Sequence, residues 1–310
     1  MNRDQFTISE QWLETSDGQM IYTQDWGNRE ANEVNIFLHG GPGGSSRDNH
    51  KMPFDPIYDR VIFFDQRGCG KSLPYGSLKN NQTNYLVNDI NLIADHFGLK
   101  SFNLVGGSWG SCLALVYGIK YPKRINKMYL NGIFTARQTE IDYLNNGLFR
   151  TFYPDIWQSY LKTVPTKYQS NPTAYHFKKI FSKDLDSVKK SAYAYAKLES
   201  SIVRLDDRQI MIDSDFKDFD PSSTIIEASY MDHNCFLEEG YIFQNSAKLQ
   251  MPIYLIQGRY DMICPPVTAY ELSSLLPEST IIMTNAGHSS GERSYYDVLR
   301  GLLRGHHGRR

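Results

Sequence analysis

The chain has 310 residues, with 33 Lys or Arg against 34 Asp or Glu and a formal net charge of −1. Hydrophobic residues make up 41% and charged residues 22%, the profile of a globular chain long enough to bury a large core. That balance supplies no electrostatic footprint for nucleic acid or for an anionic membrane.

The opening residues MNRDQFTISEQWLETSDGQ hold no apolar h-region, and no apolar run is long enough to span a bilayer. The expectation is a cytoplasmic protein without a signal peptide or a membrane or nucleic-acid partner; its oligomeric state is left open. Cys69, Cys112, Cys235 and Cys264 are scattered, with no CxxC pair and no Cys/His cluster at ligand spacing. Reduced thiols are therefore expected, with no metal site and no disulfide framework. The terminal GHHGRR reads as a solvated tail.

Met20-Ile21-Tyr22 follows a turn-like Asp17-Gly18. The runs at 34–38 (VNIFL), 61–64 (VIFF) and 102–105 (FNLV) have the continuous apolar character of strands buried in a parallel sheet. Between the last two, Leu86, Ile90, Ile93 and Phe97 recur at helical spacing, predicting a helix over 85–97. Another helix is predicted to begin at Ser108 and run through CLALVYGIKY, followed by a strand at 128–131 (MYLN).

From about Ala136 the strand-like runs stop. Tyr143, Phe149, Phe152, Tyr153, Trp157 and Tyr160 recur at helix-like spacing, and the segment 188–198 continues the helical texture. Most of these aromatics are expected to form a local core. Strand character returns at 251–257 (MPIYLIQ) and 280–283. The fold class is therefore α/β: a mostly parallel central sheet flanked by helices, with an inserted, mainly helical cap. The core is expected at 1–135 and 247–310, the cap at 136–246.

Gly106-Gly107-Ser108-Trp109-Gly110 fits G-x-S-x-G between a strand and a helix, the context in which a sharp turn presents a serine nucleophile. A serine hydroxyl needs a base, and the base needs an orienting carboxylate. In α/β-hydrolases the order is Ser, Asp or Glu, then His, each beyond a strand end. Asp261 follows the strand at 251–257, and His288 follows the strand at 280–283. Ser108, Asp261 and His288 are thus the expected triad.

His39-Gly40-Gly41-Pro42-Gly43-Gly44 follows the strand at 34–38, where an oxyanion loop belongs. Gly41 and Trp109 are the expected N–H donors, with His39 anchoring the loop. Arg67-Gly68-Cys69-Gly70-Lys71-Ser72 ends like a phosphate-binding loop, but that motif requires glycine where Asp65 stands. Instead, Asp65-Gln66-Arg67-Gly68 is expected to form a tight loop beside the site, with Asp65 and Arg67 paired.

HGGPGG, DQRGCGKS, GGSWGS, GRYDMICP and AGHS, in this order and with DGQMIY near the start, resemble the proline iminopeptidase family of α/β-hydrolase serine peptidases. The resemblance covers nearly the whole chain. It implies release of an N-terminal residue, preferably proline, from small peptides with a free N-terminus, without cofactor or metal. It further implies that two cap glutamates hold the substrate amine. Tyr195-Ala196-Lys197-Leu198-Glu199 matches the first segment, with Tyr195 and Leu198 where the family pattern has tryptophans. Ile226-Glu227-Ala228-Ser229-Tyr230-Met231 matches the second. Two neighbouring carboxylates raise one another's pKa unless a cation lies between them, which a substrate ammonium would supply. The competing readings are an esterase, lactonase or amino-acid amidase on the same scaffold, and a non-catalytic binding protein. Epoxide hydrolases and haloalkane dehalogenases use a carboxylate where Ser108 stands.

Overall fold

The computed structural model describes residues 3–205, 211 and 213–305; His306 and His307, in the tail read above as solvated, lie outside them. Among the described residues, eight strands form one sheet: β1 (Thr7–Glu14), β2 (Met20–Gly27), β3 (Val34–Leu38), β4 (Arg60–Phe64), β5 (Phe102–Ser108), β6 (Ile125–Ile133), β7 (Ile253–Gly258) and β8 (Ser279–Thr284). Their spatial order is β1-β2-β4-β3-β5-β6-β7-β8. β1 and β2 pair antiparallel, as do β2 and β4; the remaining neighbours are parallel.

The parallel strands are those whose sequences read as apolar runs, because helices cover both faces of that part of the sheet. β4 is buried along Val61–Phe64 and β5 along Phe102–Gly106. β1 has no such run. It is an edge strand in which Leu13 alone is a buried apolar residue, so its sequence TISEQWLE carries little strand signal.

Among the described residues, ten α-helices accompany the sheet. α1 (Thr83–His96) links β4 to β5, and α2 (Trp109–Lys120) links β5 to β6. α2 is buried at every position from Trp109 to Ile119, as its nearly uninterrupted apolar sequence demands. Between β6 and β7 come α3 (Gln138–Asn145), α4 (Pro154–Leu161), α5 (Pro172–Ile180), α6 (Leu185–Ile202), α7 (Ser222–Asp232) and α8 (Tyr241–Gln244). α9 (Pro266–Ser273) lies between β7 and β8, and α10 (Arg293–Gly305) follows β8.

The helices between β6 and β7 have a core of their own, built from Phe149, Trp157, Tyr160, Phe177, Tyr195 and Leu198. Phe152 is the exception among the aromatics read as local core, since it is 70% exposed. On α6 the buried residues Val188, Ala192, Tyr195, Leu198 and Ile202 share one face. Glu199 lies one turn beyond Tyr195, on the same side. α7 is buried from Ile226 to Tyr230, which takes Glu227 inward with it.

Candidate active site

β5 ends at Ser108 and α2 begins at the next residue, so one serine makes the whole strand-to-helix turn. Its backbone sits at φ 56° and ψ −127°, a region that costs a non-glycine residue about 1–3 kcal/mol. The surroundings hold it there. Ser111 Oγ donates to the Ser108 carbonyl at 2.7 Å, and Ser111 Oγ in turn accepts the Phe134 N–H at 3.1 Å. The last glycine of the motif is required by close packing: a Cβ on Gly110 would stand 2.2 Å from the Leu38 carbonyl oxygen.

Asp261 follows β7, and its Oδ2 accepts the His288 Nδ1–H at 2.8 Å. Its Oδ1 accepts the backbone N–H groups of Ile263 and Cys264 at 2.9 and 2.7 Å. With Nδ1 committed as a donor, Nε2 of a neutral His288 is the acceptor nitrogen. Burial disfavours the imidazolium, but the charge and hydrogen bond of Asp261, with Glu199 and Glu292 further off, outweigh it. His288 therefore stays above the ordinary histidine range.

The sequence reading did not single out Gln257, the penultimate residue of β7. Its fully buried side chain donates from Nε2 to Asp261 Oδ2 at 3.2 Å and to the Cys264 carbonyl at 2.9 Å. Its Oε1 accepts the Ile133 N–H at 2.9 Å, tying the end of β6 to the Asp261 turn. The position just before GRYD at a strand end is the only mark it carries in sequence.

The loop after β3 passes tightly over Ser108, since a Cβ on Gly40 would stand 3.2 Å from Ser108 Cβ. Gly41 lines the same cavity as Ser108, and no acceptor among the described residues takes its N–H. The Trp109 N–H heads α2, where first-turn amides lack intrahelical acceptors. His39 anchors the loop, as expected. Its Nε2 accepts the Gln66 N–H at 2.9 Å, which leaves Nδ1–H to donate to the Gly40 carbonyl at 2.9 Å. Gln66 continues the chain, donating to the His39 carbonyl at 2.8 Å and accepting the Trp109 indole N–H at 2.9 Å.

The expected pairing of Asp65 with Arg67 does not form. Asp65 accepts the Ser46 and Lys71 N–H groups at 2.7 and 2.8 Å. Arg67 makes a two-pronged contact with Asp89 at 2.6 and 2.8 Å and reaches Asp17 at 2.6 Å. A buried guanidinium takes the partners that match its planar fork, and Asp89 comes from α1, far away in sequence.

A cavity of about 1060 Å³ lies between the sheet and the helices α3, α6 and α7, and Ser108, His288, Glu199 and Glu227 all line it. The two glutamates, 28 positions apart on α6 and α7, are brought together and share a hydrogen bond. Burial is the first cause of their raised pKa values, and mutual repulsion adds to it in Glu227. Glu199 is pushed up to about 7 and Glu227 well above the usual carboxylate range. Without a cation the pair thus retains a proton near neutrality. Tyr195 packs edge-on against Phe177, and its buried hydroxyl has no hydrogen-bond partner among the described residues.

Similarity to known proteins follows the same lines. Residues 36–293 match the family model described as the α/β hydrolase fold. A probable proline iminopeptidase of Leptolyngbya boryana is 35% identical over 288 residues, covering 90% of this chain and 88% of that protein. The proline iminopeptidase of Neisseria gonorrhoeae is 31% identical over 296 residues, covering 93% of each. The chain belongs to the proline iminopeptidase family. The crystal structure of proline iminopeptidase from Mycobacterium smegmatis shares the fold, with a TM-score of 0.63 at 16% identity, covering 96% of this chain and 98% of that one. This family member is accordingly a hydrolytic enzyme of the α/β-hydrolase type. All four of its cysteines are buried and free. Among the described residues, no group of three or more His, Cys, Asp or Glu is placed to hold a metal ion. No described helix is long and apolar enough to cross a membrane.

Proposed function

We propose that the enzyme is a serine aminopeptidase that releases an N-terminal residue, preferably proline, from small peptides. The observation that carries this reading is the hydrogen-bonded Glu199–Glu227 pair, facing the same cavity as Ser108 and His288. A carboxyl pair short of a cation suits a free ammonium group, and its fixed offset from Ser108 selects the first peptide bond. In this reading, residues 136–246 form the cap that carries both glutamates.

The chemistry follows from the atoms present. Ser108 Oγ attacks the carbonyl carbon of the first residue while His288 Nε2 takes the hydroxyl proton. The carbonyl oxygen becomes an oxyanion between the N–H groups of Gly41 and Trp109. Its collapse breaks the C–N bond, His288 returns the proton to the leaving amine, and the residue remains as an ester on Ser108. Water, deprotonated by His288, then attacks that ester and frees Ser108. Asp261 stabilises the imidazolium in both half-reactions. The free thiols support the cytoplasm, a reducing compartment, as the place of action.

The test is a side-by-side rate comparison on prolyl, alanyl and leucyl anilides, an N-blocked prolyl anilide and a short-chain ester. Fastest turnover of the free prolyl anilide with loss on N-blocking is expected. Rapid ester cleavage with no anilide turnover would favour the esterase reading. Ser108→Ala should abolish turnover and fluorophosphonate labelling; substantial residual turnover would remove Ser108 from the nucleophile's role.

A further inference from the structure

The cavity is larger than one amino-acid residue needs. At about 1060 Å³ it matches the upper end of sites that enclose drug-sized ligands, roughly 300–1,000 Å³. Its charged lining is also divided. On the side built from residues 136–246 stand Glu140, Glu199, Asp220 and Glu227, against Arg204. On the side built from the segment after β3 and from α10 stand Arg47, Arg293 and Arg300, against Asp297. One wall is predominantly acidic and the other predominantly basic.

The basic wall has cation capacity to spare. Asp297 is engaged by Arg293, Nε to Oδ2 at 3.3 Å. Arg300 spends one N–H on the Tyr296 hydroxyl at 2.8 Å and lies over that ring, leaving most of its five donors unused. Among the described residues, no carboxylate stands within ion-pair distance of Arg47 or Arg300. His50, stacked on Phe37 at 4.8 Å, is held neutral by burial and by the charge of Arg47, so the positive charge of this wall belongs to the arginines.

The reaction itself says which part of a substrate meets this wall. If the amine is held by Glu199 and Glu227, the rest of the peptide extends away from α6 and α7. The leaving amine must lie beside His288 to receive its proton, and the chain runs from His288 through a short turn into α10. We propose that the cleft between the 47–53 segment and α10 is a leaving-peptide subsite whose arginines, Arg47 and Arg300 foremost, receive the free C-terminal carboxylate of a short peptide. The inference rests on the aminopeptidase reading and narrows its substrate class to zwitterionic di- and tripeptides, ammonium at the acidic wall and carboxylate at the basic one.

The experiment compares kcat/KM for Pro-Gly-Gly as the free acid with the same peptide as its C-terminal amide. The wild-type enzyme is expected to favour the acid about three- to tenfold, chiefly through KM, as suits partly exposed charge-assisted contacts. In the double variant Arg47→Gln/Arg300→Gln the ratio should fall to about one. The ratio is the readout, so a general loss of activity does not imitate the effect. Raising salt to about 1 M, where the screening length shrinks to about 3 Å, should also erase the preference in the wild type and needs no variant. Equal cleavage of acid and amide by the wild type, or a preference that survives both the substitutions and the salt, overturns the subsite. Failure to cleave either peptide with ester turnover intact overturns the aminopeptidase reading, and this inference with it.

Discussion

Gln257 Nε2 and His288 Nδ1 both donate to a single atom, Asp261 Oδ2, at 3.2 and 2.8 Å. The carboxylate that orients the imidazole is itself held by an amide rooted in β7, and the same amide fastens the end of β6. Rigid strands, rather than loops alone, therefore set the imidazole's direction.

Replacing Gln257 by leucine removes a hydrogen bond from Asp261 and leaves the Ile133 N–H and one Cys264 acceptor position buried without it. Each unmade bond costs on the order of 1–3 kcal/mol. A lower melting temperature and a kcat reduced about tenfold or more are expected. Because Asp261 Oδ2 loses a competing donor, it holds the His288 proton more tightly, and the acidic limb of the kcat/KM profile should move upward. Lower kcat with an unmoved limb would assign Gln257 a structural role only.

The wild-type acidic limb should itself lie above the ordinary histidine value of about 6.5. In the proposed mechanism His288 acts as a base only when neutral, and its pKa is raised in the fold. Activity is therefore lost as pH falls through that raised value. A profile of kcat/KM for an ester substrate, which lacks an amine to titrate, reads this limb cleanly. A limb well below pH 6.5 would contradict the electrostatic balance at the site.

Glu227→Gln should trade activity for stability. A carboxyl with a raised folded pKa binds its proton more tightly in the folded state than in the unfolded one, so stability falls as pH rises from the unfolded value, about 4.5, through the folded value. With Glu199 raised to about 7 and Glu227 well above the usual carboxylate range, the wild type should lose stability as pH rises from about 5 through 7. The variant should flatten that loss and melt higher at pH 8. It should also lower kcat/KM on free N-terminal substrates at least about tenfold, with a much smaller effect on an ester. Equal losses on both substrates would reject the amine clamp.

Ser108→Gly should be more stable than Ser108→Ala, although both are expected to be inactive. Alanine keeps the strained φ of 56°, whereas glycine adopts it freely. A difference of about 1–2 kcal/mol by urea denaturation is expected. Equal stabilities would mean that the turn carries little strain.

Much of this molecule follows from local chemistry. Apolar runs predicted the parallel strands, because a strand covered on both faces must be apolar on both. The G-x-S-x-G turn and the strand ends that follow it located Ser108, Asp261 and His288, since backbone geometry imposes local residue requirements. β1 escaped notice because an edge strand needs no apolar run. Glu199 and Glu227 could be named from motif resemblance, but their shared proton could not: it depends on α6 and α7 packing together and excluding water. The partners of Arg67 and the grip of Gln257 on Asp261 likewise involve side chains from separate elements, whose meeting depends on sheet order and helix packing. Sequence by itself determined the fold class and the catalytic candidates, which rest on short-range patterns. Tertiary structure alone decided which charges face one another, because electrostatic interaction depends on distance and burial, and neither is written along the chain.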